Sequence, residues 1–123
     1  MIIDTNILID FLRGELGARD FLTALPDDGM PHCSVITVAE IYAGMKESER
    51  TITDELIDNM IVLPVTREVA EVAGEIKRDT KGYELELDDC LIAATAIREG
   101  VLLATRNAKH YPMLEKELII PEY

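Results

Sequence analysis

Short apolar runs alternate with longer stretches of helical periodicity along this 123-residue chain. Strands that alternate with helices favour a parallel sheet with helices on both of its faces. The length is that of one domain, so we expect a single α/β domain over residues 1–123. The apolar runs that we interpret as strands are Ile2–Ile3, Cys33–Ile36, Ile61–Val65, Val101–Ala104 and Leu118–Ile120, the last at a sheet edge before Pro121.

Apolar residues recur at helical spacing between these runs, and glycine, proline or polar residues mark the ends of the helices. Pro26 and the turn-forming Asp27-Asp28-Gly29 are expected to end the second helix. Asp88 is expected to cap the last helix and Gly100 to end it. The predicted helices are Ile7–Arg13, Leu16–Leu25, Thr37–Met45, Ser48–Asn59, Thr66–Lys81 and Leu87–Arg98.

The formal net charge of −12 argues against a broad basic surface that would bind a polyanion directly. Divalent cations held by carboxylates, or a basic protein partner, would supply the missing positive charge. The alternative is that the acidic surface serves only solubility.

The sequence predicts a cytoplasmic protein. No apolar stretch approaches the roughly 20 residues that span a bilayer, so we expect no membrane contact. The start of the sequence, Met1–Asp4, has no basic region typical of a secretory signal. Cys33 and Cys90 are far apart and fit small core residues in a reducing compartment.

Several acidic and polar residues fall where the carboxyl ends of parallel strands are expected, which is where such sheets bind ligands. Asp4 follows the first strand, Glu40 lies in the helix after the second, and Thr105–Asn107 follows the fourth. Asp88 and Asp89 begin the helix that leads into the fourth strand. They reach the same edge only if the preceding segment brings them there.

Each of these residues also has a structural interpretation. Asp4 could cap the next helix, although Asn6 is better placed to do so. Thr37 and Glu40 have the spacing of a capping box, which gives Glu40 an equally good structural role. Neighbouring helical side chains point about 100° apart. Only one of Asp88 and Asp89 is therefore expected to face the sheet, and periodicity does not decide which.

The combination of acidic residues points to a metal site. Two unit charges about 4 Å apart repel by roughly 4 kcal/mol at an effective dielectric constant of about 20. The sequence places no lysine or arginine beside Asp4, Glu40 or Asp89. Mg²⁺ or Mn²⁺ is the usual counter-ion for such oxygen ligands, and a bound metal supports hydrolysis at phosphorus.

Four motifs follow one another along the chain: Asp4-Thr5-Asn6, Thr37-Val38-Ala39-Glu40, Asp89-Cys90-Leu91-Ile92-Ala93-Ala94-Thr95-Ala96, and Thr105-Arg106-Asn107 with His110-Tyr111. Together and in this order they resemble the motifs of the PIN domain, and more specifically those of VapC-type toxins of toxin–antitoxin pairs. The resemblance covers essentially the whole chain.

The resemblance implies a PIN-like three-layer sandwich and a magnesium-dependent endoribonuclease that cuts structured RNA, commonly transfer or ribosomal RNA. The family's acidic metal ligands fall on Asp4, Glu40 and Asp89. Asp88 is then a helix cap or an outer carboxylate. Asn107 stands where the wider family has a fourth acidic residue, so the choice between one and two metal ions stays open.

Other residues have supporting roles in this interpretation. Thr5 and Asn6 are expected to hydrogen-bond to Asp4 and orient it. His110 is expected to be structural rather than a general base. A homodimer and an inhibitory antitoxin are implied by the resemblance, and the net charge suits a basic partner. The expected phosphate contacts, placed near the acidic residues, are Arg13, Arg106 and Lys109.

Alternative functions differ in the residues or the genome context that they require. A housekeeping PIN nuclease and an inactive PIN-like binding module share the expected fold. A phosphatase with an aspartyl nucleophile needs a second aspartate two positions after the first, where this chain has Asn6. A receiver domain needs an aspartate after its central strand, and Val65-Thr66 supplies none.

Overall fold

A computed structural model describes residues 1–25 and 30–123. Within these residues, five strands form one sheet in the order β3-β2-β1-β4-β5, and each neighbouring pair is parallel. The strand predicted for the sheet edge, β5, lies at an edge as expected. The strands are β1 (Ile2–Ile3), β2 (His32–Ser34), β3 (Ile61–Leu63), β4 (Leu103–Ala104) and β5 (Leu118–Ile119).

Six α-helices and two short 3₁₀ turns connect the strands in the described part of the chain. No helix there is both long enough and apolar enough to cross a membrane. The helices are α1 (Thr5–Leu12), α2 (Leu16–Thr23), α3 (Val35–Gly44), α4 (Arg50–Asp58), α5 (Arg67–Asp79) and α6 (Leu87–Glu99), and the 3₁₀ turns are Glu47–Glu49 and Ala108–His110.

Alternating strand residues face two separate helical layers. Ile3 and Ala104 pack with the apolar sides of α1, α2 and α4, whereas Ile2 and Leu103 pack against Ile92 and its neighbours on α6. Alternation along a strand sends successive side chains to opposite faces of a sheet, so both faces need a cover. The predicted three-layer α/β sandwich is confirmed.

The start of α3 differs from the sequence-based prediction. The helix begins at Val35, because the Ser34 side chain accepts a hydrogen bond from the Ile36 amide and caps the helix. Thr37 is therefore a buried residue inside the first turn rather than a cap. The predicted Thr37–Glu40 capping box is wrong, so Glu40 loses its structural explanation.

Two further capping predictions are wrong. Asp4, rather than Asn6, occupies the cap position of α1. At α6 the cap position belongs to Glu86, and Asp88 lies inside the first turn. Gly100 does end α6, with the positive φ of 66° that favours glycine. The predicted turn at Pro26-Asp27-Asp28-Gly29 lies outside the described residues.

Candidate active site

Asp4 lies at the carboxyl end of β1, beside the end of β4. The parallel register pairs Ile3 with Ala104, and the Asp4 amide donates to the Ala104 carbonyl at 2.9 Å. This pairing places Asp4 directly next to Thr105, whose hydroxyl donates to Asp4 Oδ2 at 2.7 Å. The Asp4 side chain is almost fully buried, with 5% of the residue exposed.

Three more groups donate hydrogen bonds to the Asp4 carboxylate. The Thr5 amide donates to Oδ1 at 2.8 Å, which is also the helix-capping bond of α1. The Asn6 amide nitrogen and the Tyr111 hydroxyl each donate to Oδ2 at 3.1 Å. The predicted support of Asp4 by neighbouring polar groups is present, although Thr5 provides it through its backbone.

Glu40 joins the same group of residues through Thr5. The Thr5 hydroxyl donates to Glu40 Oε1 at 2.7 Å and lies 3.0 Å from the Thr37 hydroxyl. Thr5 therefore contacts Asp4 through its amide and Glu40 through its side chain. The residue fixes the start of α1 against α3 and holds two of the three predicted ligands near each other.

The first turn of α6 brings Asp89 to this edge of the sheet. Asp89 Oδ1 lies 3.4 Å from the Tyr111 hydroxyl, and Oδ2 lies 3.4 Å from His110 Nδ1. The Lys77 ammonium donates to the Leu85 carbonyl at 2.6 Å and fixes the segment that leads into α6. The preceding segment thus delivers both acidic residues to the site.

These side chains surround one pocket of about 330 Å³. Five of the residues that line it are acidic, and among the described lining residues there is no lysine or arginine. Asp88 is exposed and lines the pocket together with Asp89. Both residues therefore face the site, whereas the sequence predicted that only one would. The lining residues are Asp4, Thr5, Asn6, Ile9, Glu40, Glu86, Asp88, Asp89, Asn107 and His110.

Burial, with a smaller contribution from neighbouring carboxylates, raises the pKa values of two carboxyl groups in the pocket. Burial raises the pKa of Glu40, and the charges of Asp88, Asp4 and Asp89 raise it further, against a lowering effect of the Thr5 hydrogen bond. Burial also raises the pKa of Asp89, although His110 lowers it. Both carboxyl groups are therefore ionised at a cost to the folded chain. A cation in the pocket would remove that cost.

The donor set suits a hard divalent cation, because carboxylate oxygens are the ligands that Mg²⁺ and Mn²⁺ prefer. Within residues 1–25 and 30–123, however, no group of three or more His, Cys, Asp or Glu side chains is close enough to hold a metal ion by itself. Mg²⁺ usually binds one or two carboxylates and keeps several waters. That mode of binding fits a pocket whose acidic residues surround an open space.

The three basic residues predicted to lie near the site do not line the pocket. The Arg106 guanidinium donates to Asp10 at 2.9 Å and stacks 4.4 Å from the Tyr123 ring centroid. Arg13 lines a neighbouring cavity, and the exposed Lys109 adjoins His110. Contact of these residues with RNA stays a prediction.

The structure places three residues at the pocket to which the sequence analysis assigned no role in the site. His110, interpreted as structural, lines the pocket and lies against Asp89. Tyr111 is buried and contacts both Asp4 and Asp89. Burial and the charges of these two carboxylates raise its pKa far above the ordinary value, so the phenol stays protonated and donates. Glu86 lines the rim. The His110-Tyr111 pair beside the Thr105–Asn107 motif was the available signal.

Comparison with known proteins places this site in a family. The PIN domain family matches residues 1–113, which include every residue of the pocket. This chain belongs to the PIN domain family. Nucleases of this family are typically metal-dependent, in keeping with the acidic pocket.

Relatives of this PIN domain protein narrow the family further. The chain is 37% identical over 118 residues to Ribonuclease VapC10 of Mycobacterium tuberculosis, covering 94% of this chain and 89% of the relative. It is 35% identical to Ribonuclease VapC19 of the same organism, and the match covers 91% of this chain and 92% of the relative. The predicted membership of the VapC ribonucleases is confirmed.

A solved structure of similar fold also supports the membership of this chain in the PIN domain family. A chain of a toxin–antitoxin complex from Klebsiella pneumoniae superimposes with a TM-score of 0.84 and 29% identity. The match covers 98% of this chain and 96% of the other. The likeness therefore extends over all three layers rather than over the sheet alone.

Proposed function

We propose that this chain is a Mg²⁺-dependent endoribonuclease toxin that hydrolyses phosphodiester bonds in structured RNA, such as transfer or ribosomal RNA. One observation carries the proposal: a VapC-family chain gathers five carboxylates around a pocket whose described lining has no lysine or arginine. Carboxylates arranged in this way would be stabilised by a bound divalent cation. Such a cation can also promote the hydrolysis of a phosphodiester bond.

Asp4, Asp89 and Glu40 would hold the metal ion, Mg²⁺ or alternatively Mn²⁺, in part through the water molecules that such an ion keeps. Such an ion, when bound, lowers the pKa of a water molecule and offsets negative charge on the phosphate group. Four donors fix the orientation of the Asp4 carboxylate. Thr5 fixes Glu40 relative to Asp4.

Two other pocket residues would face the substrate. Asn107 and His110 line the pocket and offer an amide and an imidazole to phosphate oxygens or to a water molecule. Asp88 and Glu86 lie on the exposed rim, where they add negative charge. A metal ion would therefore be needed before a phosphodiester could approach.

A cognate antitoxin and a second copy of the chain complete the proposal. The similar Klebsiella pneumoniae structure is a toxin–antitoxin complex, which supports an antitoxin partner for this chain. The net charge of −12 suits a partner that presents basic side chains. A homodimer in the cytoplasm is proposed on the family resemblance.

Cleavage of total RNA by the purified protein tests the proposed activity. With Mg²⁺ or Mn²⁺ we expect discrete RNA fragments, and with a chelator we expect none. Asp4→Asn should reduce cleavage by about 10³-fold or more, as losses of essential active-site groups do. Asp79→Asn is a matched control, since Asp79 is exposed and pairs with Arg78 away from the pocket.

Each alternative function has its own outcome. Folded, antitoxin-free protein that cleaves no RNA would indicate an inactive binding module. Cleavage that trims one precursor RNA, in a genome with no antitoxin gene beside this one, would indicate a housekeeping nuclease. Cleavage that persists in the chelator would contradict the metal-dependent mechanism.

A further inference from the structure

Tyr111 has a fixed position beneath the acidic pocket. Only 1% of the residue is exposed. Its amide donates to the Ala108 carbonyl at 2.9 Å, and its carbonyl accepts from the Leu114 amide at 3.0 Å. Its ring packs in the core cluster that contains Ile2 and Ile92. The backbone and the ring therefore leave the hydroxyl little freedom to move.

The Tyr111 hydroxyl lies between two carboxylates that belong to different elements. It is 3.1 Å from Asp4 Oδ2, after β1, and 3.4 Å from Asp89 Oδ1, on α6. A phenol donates only one hydrogen, so the two carboxylates share it. Among the described residues, no other side chain hydrogen-bonds to both Asp4 and Asp89.

The hydroxyl occupies one oxygen of each carboxylate. Asp4 Oδ2 accepts from Tyr111, Asn6 and Thr105, whereas Asp4 Oδ1 accepts only from the Thr5 amide. Asp89 Oδ1 contacts Tyr111, and Oδ2 is left beside His110. Asp4 Oδ1 is thus the less occupied oxygen of Asp4 and remains for a ligand, whereas each Asp89 oxygen has a single contact at 3.4 Å and keeps room for one.

We infer that Tyr111 is a positioning residue, whose hydroxyl sets the separation and orientation of Asp4 and Asp89 for a divalent cation. The inference rests on the proposed function, because it assumes that these two carboxylates bind metal. Tyr111 itself contacts neither metal nor RNA. It acts by holding two repelling carboxylates in one arrangement before the cation arrives.

Tyr111→Phe separates this role from simple packing, because it keeps the ring in the core and removes only the hydroxyl. Tyr42→Phe is a matched control, since the Tyr42 hydroxyl donates to Asp54 between α3 and α4, away from the pocket. Both variants lose one phenol–carboxylate hydrogen bond, so both are expected to melt at a somewhat lower temperature. Only Tyr111→Phe should bind metal more weakly.

Mn²⁺ binding to the purified protein, measured by calorimetry, tests the inference. Removal of an outer hydrogen bond to a metal ligand typically weakens metal binding by about 10–100-fold, and we expect that loss for Tyr111→Phe. Tyr42→Phe should stay within about twofold of the unmodified protein. RNA cleavage by Tyr111→Phe should recover as the Mn²⁺ concentration is raised.

The outcomes separate the inference from the proposed function. If the unmodified protein binds Mn²⁺ and Tyr111→Phe binds it equally well, the positioning role is overturned while metal binding stands. If the unmodified protein binds no Mn²⁺, both are overturned. If Tyr111→Phe is unfolded without metal, its folding is followed as Mn²⁺ is added. A ligand that binds only the folded state stabilises that state by mass action, so the Mn²⁺ concentration needed for folding reports the affinity of the variant for Mn²⁺.

Discussion

The two ends of α1 carry carboxylates with different hydrogen-bond partners. At the start of the helix, all four groups that donate to Asp4 in the described structure are neutral. In its last turn, Asp10 belongs to a cluster with Arg106 and Tyr123, which we call the Asp10 cluster. Asp10 Oδ2 accepts from the Arg106 guanidinium and from the Tyr123 hydroxyl, each at 2.9 Å.

The difference shows which carboxylates have a negative charge that is not paired with a basic side chain and can bind a cation. The Asp10 charge is offset by a guanidinium that also stacks on an aromatic ring, so this cluster is complete within the chain. The pocket around Asp4 has hydrogen bonds for its carboxylates but no basic side chain from lysine or arginine in its described lining. Hydrogen bonds orient these carboxylates and leave the net charge in place.

The response to metal should separate the two regions most strongly. At a Mn²⁺ concentration about 100 times the dissociation constant, the folded protein should gain about 2.7 kcal/mol of stability. Asp4→Asn should lose most of this gain, whereas Asp10→Asn should keep it. Denaturant unfolding with and without Mn²⁺ measures the difference. An equal gain in Asp4→Asn and the unmodified protein would mean that the metal binds elsewhere.

Removing charge from the pocket should stabilise the metal-free protein. The pKa of Asp89 is raised by burial above its ordinary value of 3.8. A carboxyl group with a raised pKa contributes most to stability at low pH, where it is protonated, and that contribution is lost as the pH rises through the raised value. Asp89→Asn removes the ionisable group and so avoids this loss of stability at neutral pH. Solvent in the open pocket screens the charge, which keeps the gain in stability modest.

We therefore expect Asp89→Asn to raise the melting temperature at neutral pH by about 3–5 °C, the shift that roughly 1 kcal/mol produces in a domain of this size. At a pH near 3 the gain should shrink, because the native carboxyl group is then protonated. Asp10→Asn should instead lower the melting temperature, since it removes a satisfied ion pair. Melting curves at two pH values, without metal, decide the sign.

The fold could be predicted from the sequence because each of its signals is local. Short apolar runs predicted strands, and helix-ending residues such as Gly100 predicted boundaries. The same local reasoning failed at α3, where Thr37 was predicted to cap the helix and Ser34 was assigned to the strand before it. The cap is Ser34 because β2 ends there. The end of β2 depends on pairing with β3, which is not visible in the local sequence.

The acidic residues of the site could be predicted, whereas the groups that arrange them could not. Asp4 and Asp89 follow from the carboxyl-end rule together with the resemblance to a known family. Tyr111 and Arg106 act through contacts between residues far apart in sequence, set by the pairing of β1 with β4 and by the loop after it. The pairing of Arg106 with Asp10 was not predicted, because a basic residue beside a polar motif carries no sign of its partner in the local sequence.

The smallest expected effect tests the Asp10 cluster by itself. Tyr123→Phe removes the hydroxyl that donates to Asp10 and keeps the ring beneath the Arg106 guanidinium. The pKa of Tyr123 is raised to about 12, chiefly by burial and by the hydrogen bond to Asp10, so this phenol is a donor at neutral pH. Loss of one such bond should cost about 0.5 kcal/mol, at the low end of the usual range because the cluster is partly exposed.

The melting temperature of Tyr123→Phe should therefore fall by less than about 3 °C. Its Mn²⁺ affinity should not change, because the Asp10 charge remains paired with Arg106 and does not reach the pocket. Weaker Mn²⁺ binding by this variant would show that the two ends of α1 are coupled. The route of such coupling would be the Arg106 amide, which donates to Asn6 Oδ1 at 3.1 Å and so connects the cluster to the residue that orients Asp4.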